Sequence, residues 1–405
     1  LLVVGVAAFT AQGSTQPATP DSLALVNAHV VDVRTGSIAR SATLVIRGGR
    51  IESVGADAAP AGVKTIDLRG RYVVPGLIDA HTHLASLDAA KRAIESGVTT
   101  VRSSGVSNFA DIGLRELSKQ GAIAGPDVMA SGYHIRPRLA EQAFLDNPGL
   151  ASLMGGVNTI DGLRQAVRMN LARGVDWIKV LATERAGTPD TDPRKQVYTE
   201  AELRAVVEEA ATKGIPVQAH AHGDEGALAA VRAGVRSIEH GTYLSDATLA
   251  AMKERATFLD PTFVIVTDVA APGGDYDLPA LQIRGQHMIG RLRDTIQRAH
   301  RLGVKVVTGV DTGYGPSSLA RVPHEVAALV ELGFSPLQAL QAATLVNAEL
   351  LRRERAIGVL AAGFEADLIA VEGNPLERVD ALQDPLLVVS NGRVALNRLD
   401  FGRRH

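Results

Sequence analysis

VVPGLIDAHTHL, residues 73–84, is the stretch on which the fold turns. An apolar run from Tyr72 to Ile78 leads into two histidines two residues apart. Side chains of a strand alternate between faces, so positions i and i+2 project together. His81 and His83 therefore leave the end of one strand side by side, close enough to hold one metal ion. Taken alone, the pair also reads as two solvated or core histidines.

Downstream, strand candidates alternate with helical stretches. The strands are predicted at 73–78, 99–102, 127–130, 177–181, 216–219, 237–239, 256–259 and 305–308. Helical patterns at 88–96, 159–172, 199–213 and 281–302 separate them. Thr199, with Glu202 three residues on, signals a helix start by a capping box. This alternation implies parallel βαβ units, and eight of them predict an α/β fold, a (β/α)8 TIM barrel spanning 76–354. A doubly wound sheet is the alternative, but no GxGxxG opens the first helix.

Upstream and at the far end the grammar is different. Residues 22–75 read as short strands, with a hairpin signal at Arg47-Gly48-Gly49-Arg50, and Asn391-Gly392 marks another near the C-terminus. Separate domains are one option. The other is a small composite β-sandwich built from both chain ends, 21–75 plus 355–405. Residues 1–9 are short and apolar, and small and polar residues follow through Pro20. Residues 1–20 thus resemble the core and cleavage zone of a secretory signal, with Ala11 as the last residue before the cut, which implies an exported protein; a disordered propeptide is the plainer alternative. Without cleavage and export the chain would be cytoplasmic.

Composition narrows the chemistry. A net charge of −2 gives no electrostatic footprint for nucleic acid or an anionic membrane. Cysteine is absent, so any metal must rely on His, Asp, Glu or a modified Lys. No segment is long and apolar enough to span a bilayer as a mature helix.

Catalytic groups of such a barrel gather where strands end. The predicted ends supply His81 and His83, Lys179, His220, His240 and Asp311, with His222 beside His220. Each has a plain alternative. Lys179 can snorkel to solvent, the histidines can be satisfied core residues, and Asp311 can merely terminate a strand. Together they place imidazoles, an amine and a carboxylate at one end of five strands. A buried lysine has a depressed pKa and becomes a neutral nucleophile able to capture CO2 as a carbamate.

PGLIDAHTHL at 75–84, the strand lysine, QAHAHG at 218–223, IEHGTYL at 238–244 and GVDTG at 309–313 resemble the amidohydrolase superfamily. So do LGFSPLQALQAATLVNAELL at 332–351 and IGVLAAGFEADLIAVEGNPL at 357–376, which look like the family's return to its sandwich. The likeness covers nearly the whole chain and is strongest to the prolidase and imidazolonepropionase-like branch, with its bacterial members that hydrolyse ochratoxin A. It implies two divalent metal ions, most readily zinc. His81, His83 and Asp311 would hold one, His220 and His240 the other, and carboxylated Lys179 would bridge them. It further implies that Asp311 shuttles the proton and that His222 touches substrate or supports the oxyanion, a structural role for His222 being the alternative. The expected substrate is a small-molecule amide carrying a free carboxylate, N-acyl amino acids and dipeptides among them, and ochratoxin A, which would release phenylalanine.

The family's Gly-Gly-His-Gly loop is missing after the third strand. His134, Arg136 and Arg138 stand there; His134 and one of the two arginines are expected to contact the carboxylate, Tyr243 is another candidate, and a solvated loop is the simpler reading. Residues 139–158 and 272–279 are expected over the barrel mouth, the first offering Phe144, Leu145, Leu150, Leu153 and Met154 as an acyl pocket or a subunit contact. Relatives commonly form homo-oligomers. Cyclic-amide hydrolysis or deamination is the other enzymatic reading, but deaminase-like relatives usually keep one metal and lack the strand lysine. A non-catalytic scaffold on the same fold would have lost ligands that are all present here.

Overall fold

In the computed structural model, which describes residues 22–400, the opening stretch is divided between two sheets. The single strand expected at 73–78 is two. Tyr72–Pro75 pairs antiparallel with Leu368–Val371 and parallel with Leu23–Val31, whereas Leu77–Thr82 pairs parallel with Val98–Ser103. Gly76 is the crossing point. Its N–H donates to the Asp367 carbonyl, and the next N–H, of Leu77, donates to Gly97. A Cβ at Gly76 would collide with the Thr99 side chain, so only glycine allows this approach.

Strands from both ends of the chain join in one eight-stranded sheet. Its order is Arg393–Asn397, Leu387–Ser390, Leu368–Val371, Tyr72–Pro75, Leu23–Val31, Ile38–Arg47 and Arg50–Gly55, with Lys64–Asp67 also against Leu23–Val31. Gly48-Gly49 and Asn391-Gly392 close two of its hairpins, all four residues at positive φ as a type I′ turn requires. Leu25, Leu44, Ile46 and Leu387 form an apolar cluster belonging to this sheet.

The remaining strands are parallel. Leu77–Thr82, Val98–Ser103 and Asp127–Met129 form one sheet; Ile178–Leu181, Val217–Ala221, Ser237–His240 and Phe258–Asp260 form another. Isolated bridges continue these ladders, Ile135 to Val180, Leu259 to Val306 and Thr82 to Thr312. The eighth strand expected at 305–308 is not a ladder, and only Val306 bridges. Beyond it the backbone bonds elsewhere. The Thr308 carbonyl accepts from Ala80 N–H and from the Asn347 amide at 2.9 Å, and Val310 N–H donates to the Asp79 carboxylate at 3.1 Å.

Helices such as Leu87–Glu95, Ile160–Ala172, Glu200–Ala211 and Asp224–Ala233 connect the parallel strands and bury one face each. Thr199 caps its helix as expected: its hydroxyl accepts from Glu202 N–H at 3.3 Å while Glu202 accepts from Thr199 N–H at 2.8 Å. Thr199→Ala is expected to cost about 1 kcal/mol of stability, read from a urea unfolding midpoint. Two helices of the second half, Phe263–Ala270 and Pro279–Leu302, pack on each other beside the strand ends. No helix among the described residues is long and apolar enough to cross a membrane. The signal expected at 1–20 lies outside the described residues.

Candidate active site

His81 lies within Leu77–Thr82 and His83 just beyond it; Lys179 is in Ile178–Leu181, His220 in Val217–Ala221, and His240 ends Ser237–His240. With His134, His222 and Asp311 they line one cavity. Parallel strands deliver their C-terminal ends to one side, so residues far apart in sequence meet there.

The back of each imidazole is tied down. His83 Nδ1–H donates to the Gly105 carbonyl at 2.8 Å, and His81 Nδ1 meets the Glu239 carboxylate at 2.8 Å. His240 Nδ1 meets the Thr262 hydroxyl at 2.7 Å, His222 Nδ1 the Thr242 hydroxyl at 2.8 Å, and His220 Nε2–H the Glu184 carbonyl at 3.2 Å. A carbonyl or ionised carboxylate cannot donate, so the partners of His83, His81 and His220 set the tautomer and leave the other nitrogen free to ligate, whereas the Thr262 and Thr242 hydroxyls can donate to or accept from His240 and His222. His83 Nε2 lies 2.9 Å and His81 Nε2 3.4 Å from Asp311 Oδ1, and Lys179 Nζ is 3.4 Å from His81 Nε2. Both His240 and Asp311 are held at positive φ, 75° and 48°, a strained backbone at the two positions that aim a donor inward.

A buried charge network supports this layer from below. Arg102 is fully buried and stacks on Trp177 at 4.7 Å. It donates to the Ala80 carbonyl at 2.5 Å, to Ser237 Oγ at 2.9 Å and to Glu239 Oε2 at 2.8 Å, and Asp260 lies 3.4 Å away. Glu239 is thus the link between Arg102 and His81. Gly309 permits the tight fit, because a Cβ there would run into Asp260 and the His81 side chain.

Burial dominates the electrostatics. It pushes His81 down to about 4 and His222 to about 3, and His134, His220 and His240 well below the usual imidazole range. The imidazoles are therefore neutral near pH 7, the form that ligates metal. Burial also lowers Lys179 to about 8, against the pull of Glu239 and Asp311. For Asp311 burial works upward, but His81 and His83 outweigh it and hold the carboxyl below the usual range.

The donor set fits a bound cation. Ligand atoms of His220, His222 and His240 lie within 4.8 Å of one another, as do those of His81, His240 and Asp311. His81, Glu239 and Asp260 form another such group, but Arg102 already pairs with both of its carboxylates. His222, expected to contact substrate, stacks on His240 with ring centroids 4.5 Å apart.

The structure does not gather every residue singled out from the sequence. His134 lines the cavity, with Nε2–H donating to the Gly105 carbonyl at 3.1 Å. Arg136 is not in its wall; it lines a neighbouring pocket with Tyr133. Arg138 is exposed on the same segment, and Tyr243 stands outside the wall near His287. Leu150 and Leu153 are buried in the core while Leu145 and Met154 face solvent, so none of the four lines the cavity. Ile265, Val266, Val269 and Met288 form the apolar wall instead. Arg185 and Tyr276 complete it, and both were missed from the sequence. Arg185 follows a predicted strand end by only four residues, which is the signal that would have found it. Tyr276 falls in the mouth segment expected at 272–279.

Residues 72–395 match the amidohydrolase family. The chain is 29% identical over 398 residues to ochratoxinase from Aspergillus niger, covering 87% of this chain and 82% of that one. It is 29% identical over 404 residues to imidazolonepropionase from Chromobacterium violaceum, covering 88% and 92%. Among solved structures, a Xaa-Pro dipeptidase with methionine bound in its active site superposes with a TM-score of 0.82 at 28% identity, over 92% of this chain and 99% of that one. The neighbours share the α/β, TIM-barrel-type fold. A family match over most of the chain, joined to a cavity of inward-facing imidazoles and a carboxylate at strand ends, shows that this protein belongs to the amidohydrolase family and is a metal-dependent amide hydrolase.

Proposed function

We propose that the protein is a binuclear hydrolase cleaving the amide between an acyl group and an amino acid with a free carboxylate, ochratoxin A included. The observation that carries this reading is Lys179, a buried amine 3.4 Å from His81 in the same cavity as five further imidazoles and Asp311. As a neutral amine it can add to CO2 and lose a proton, giving a carbamate with two ligand oxygens. His81, His83 and Asp311 would hold one divalent ion and His220 and His240 the second, with carboxylated Lys179 shared; zinc suits His and oxygen donors. Bound there, the ions supply Lewis acidity to the scissile carbonyl and lower the pKa of the attacking water.

The protein's own groups do the rest. Asp311 takes the proton from the attacking water and returns it to the leaving nitrogen. His222, fixed by Thr242, donates toward the developing oxyanion. His134 lines the cavity beside His83, their ring centroids 5.4 Å apart. The relatives named ochratoxinase and Xaa-Pro dipeptidase support a substrate bearing an amino acid. Deamination or cyclic-amide opening of the imidazolonepropionase type is the second reading, and Lys179 weighs against it.

We further take 21–75 with 355–405 as a small sandwich unit beside the 76–354 barrel, residues 1–20 as an export signal, and the active form as a homo-oligomer. The test of the central reading is metal analysis with a substrate screen. Close to two divalent ions per chain are expected, with turnover of N-acyl amino acids, Xaa-Pro dipeptides or ochratoxin A that a chelator abolishes and zinc restores. Lys179→Ala is expected to lose both metal and turnover. If it kept both, or if no carboxylate-bearing amide were cleaved, the reading would be wrong.

A further inference from the structure

The cavity wall contains a cation that the chemistry above does not use. Arg185 lines the cavity, and no carboxylate among the described residues forms an ion pair with it. Its guanidinium donates to the Tyr276 hydroxyl, and the charge of Asp311 acts on that phenol more strongly than any other group. Arg185, Tyr276 and the carboxylate that handles the proton thus line one cavity.

The loop carrying Arg185 is built to stay in place. Arg284, on the Pro279–Leu302 helix, donates to four of its carbonyls: Ala186 at 2.6 Å, Thr188 at 2.7 Å, Pro189 at 3.0 Å and Thr191 at 2.6 Å. The Thr191 hydroxyl donates back to the Arg185 carbonyl at 2.5 Å. Gly187 lets the Tyr276 ring lie against the loop, where a Cβ would come within 2.6 Å of it. A guanidinium on a mobile surface loop would need none of this. A rigid fork beside an apolar wall is what recognises a carboxylate attached to an apolar group.

We propose, resting on the amide-hydrolase reading above, that Arg185 and Tyr276 bind the substrate's free carboxylate and that Arg284 is the positioning residue for that pair. Because the pair lines the same cavity as Asp311, which serves the leaving nitrogen, the carboxylate is assigned to the leaving amino acid, α to the scissile nitrogen, and not to the acyl half. The amino-acid side chain then lies against Ile265, Val266 and Met288. The preferred substrates are N-acyl derivatives of apolar α-amino acids.

The test compares N-benzoylphenylalanine with its carboxamide, using metal-loaded full-length wild type, Arg185→Ala, Arg185→Lys and Arg284→Ala. Wild type is expected to prefer the acid. Arg185→Ala is expected to lower kcat/KM for the acid roughly 10–100-fold, the scale of a charge-assisted hydrogen-bond pair, and to leave the carboxamide nearly unchanged. Arg185→Lys is expected to recover only part, since a point charge replaces a fork. Arg284→Ala is expected to raise KM for the acid with little change in kcat, and again to spare the carboxamide. Equal losses on both substrates, or an acid preference that survives Arg185→Ala, would overturn the assignment. Should wild type cleave neither compound, calorimetry with phenylalanine decides the anchor independently of turnover. Binding that Arg185→Ala abolishes supports it, and binding that the variant leaves unchanged refutes it.

Discussion

Asp311→Asn is expected to lower kcat by about 10²- to 10⁴-fold while the fold stays intact. The substitution keeps size and hydrogen-bonding shape, and Asn tolerates the left-handed backbone that Asp311 adopts. The amide oxygen can still face His83 Nε2, now 2.9 Å from the carboxylate. What is lost is basicity: an amide cannot take a proton from water and carry it to a leaving nitrogen. The measurement is kcat alongside metal content. A large fall in rate with metal retained isolates the proton transfer, and a fall with metal lost assigns Asp311 chiefly to ligation. Full-rate hydrolysis by the variant would remove Asp311 from the mechanism.

Arg102→Met is expected to destabilise the protein by about 3–5 kcal/mol. Methionine approximates the arginine stem and keeps much of the stacking on Trp177. It leaves Glu239 and Asp260 buried without their cation, and in a low-dielectric interior that is far costlier than losing a hydrogen bond. Burial already pushes Asp260 well above the usual carboxylate range, while at Glu239 burial is outweighed by Arg102 together with His81 and Lys179. Without Arg102 the Glu239 carboxyl rises too, and His81 loses the ionised partner that fixes its Nδ1–H. Arg102→Met combined with Glu239→Gln is expected to recover part of the loss, with a coupling of about 1 kcal/mol or more in a double-mutant cycle. An Arg102→Met protein as stable as wild type would show that water or a rearranged side chain replaces the guanidinium.

Much of the site was legible because parallel strands repeat one geometry. Once the strand ends were located, His81, His83, Lys179, His220, His240 and Asp311 followed from position alone, and the structure brings them to one cavity. The strand at 73–78 was misjudged because its apolar run is continuous, and nothing in Pro75-Gly76 says that the halves belong to different sheets. The last strand fails as a ladder because its partners are the side chains of Asn347 and Asp79, which no periodicity announces. Arg102 ends the strand predicted at 99–102, but nothing local marks it as buried, because its partners Glu239 and Asp260 lie on strands more than a hundred residues away. Arg136, Arg138 and Tyr243 were chosen by residue type on loops, where a side chain's direction depends on turns that local sequence does not fix. Arg185 is on such a loop as well, and it faces inward because Arg284 holds the backbone from another helix.

The crossing at Gly76 has a consequence for how the chain matures on the ribosome. The strand bearing His81 is rooted in Tyr72–Pro75, whose antiparallel neighbour is Leu368–Val371. That neighbour is synthesised long after it, so the first parallel strand emerges with one edge of its root unpaired, only the edge on Leu23–Val31 having its partner. Pairing of such long sequence separation is slow to form and exposes apolar edges in the meantime. Ribosome-bound chains ending before Leu368 are therefore expected to remain protease-sensitive and to depend on chaperones. The metal-facing histidines become fixed only when the C-terminal strands arrive.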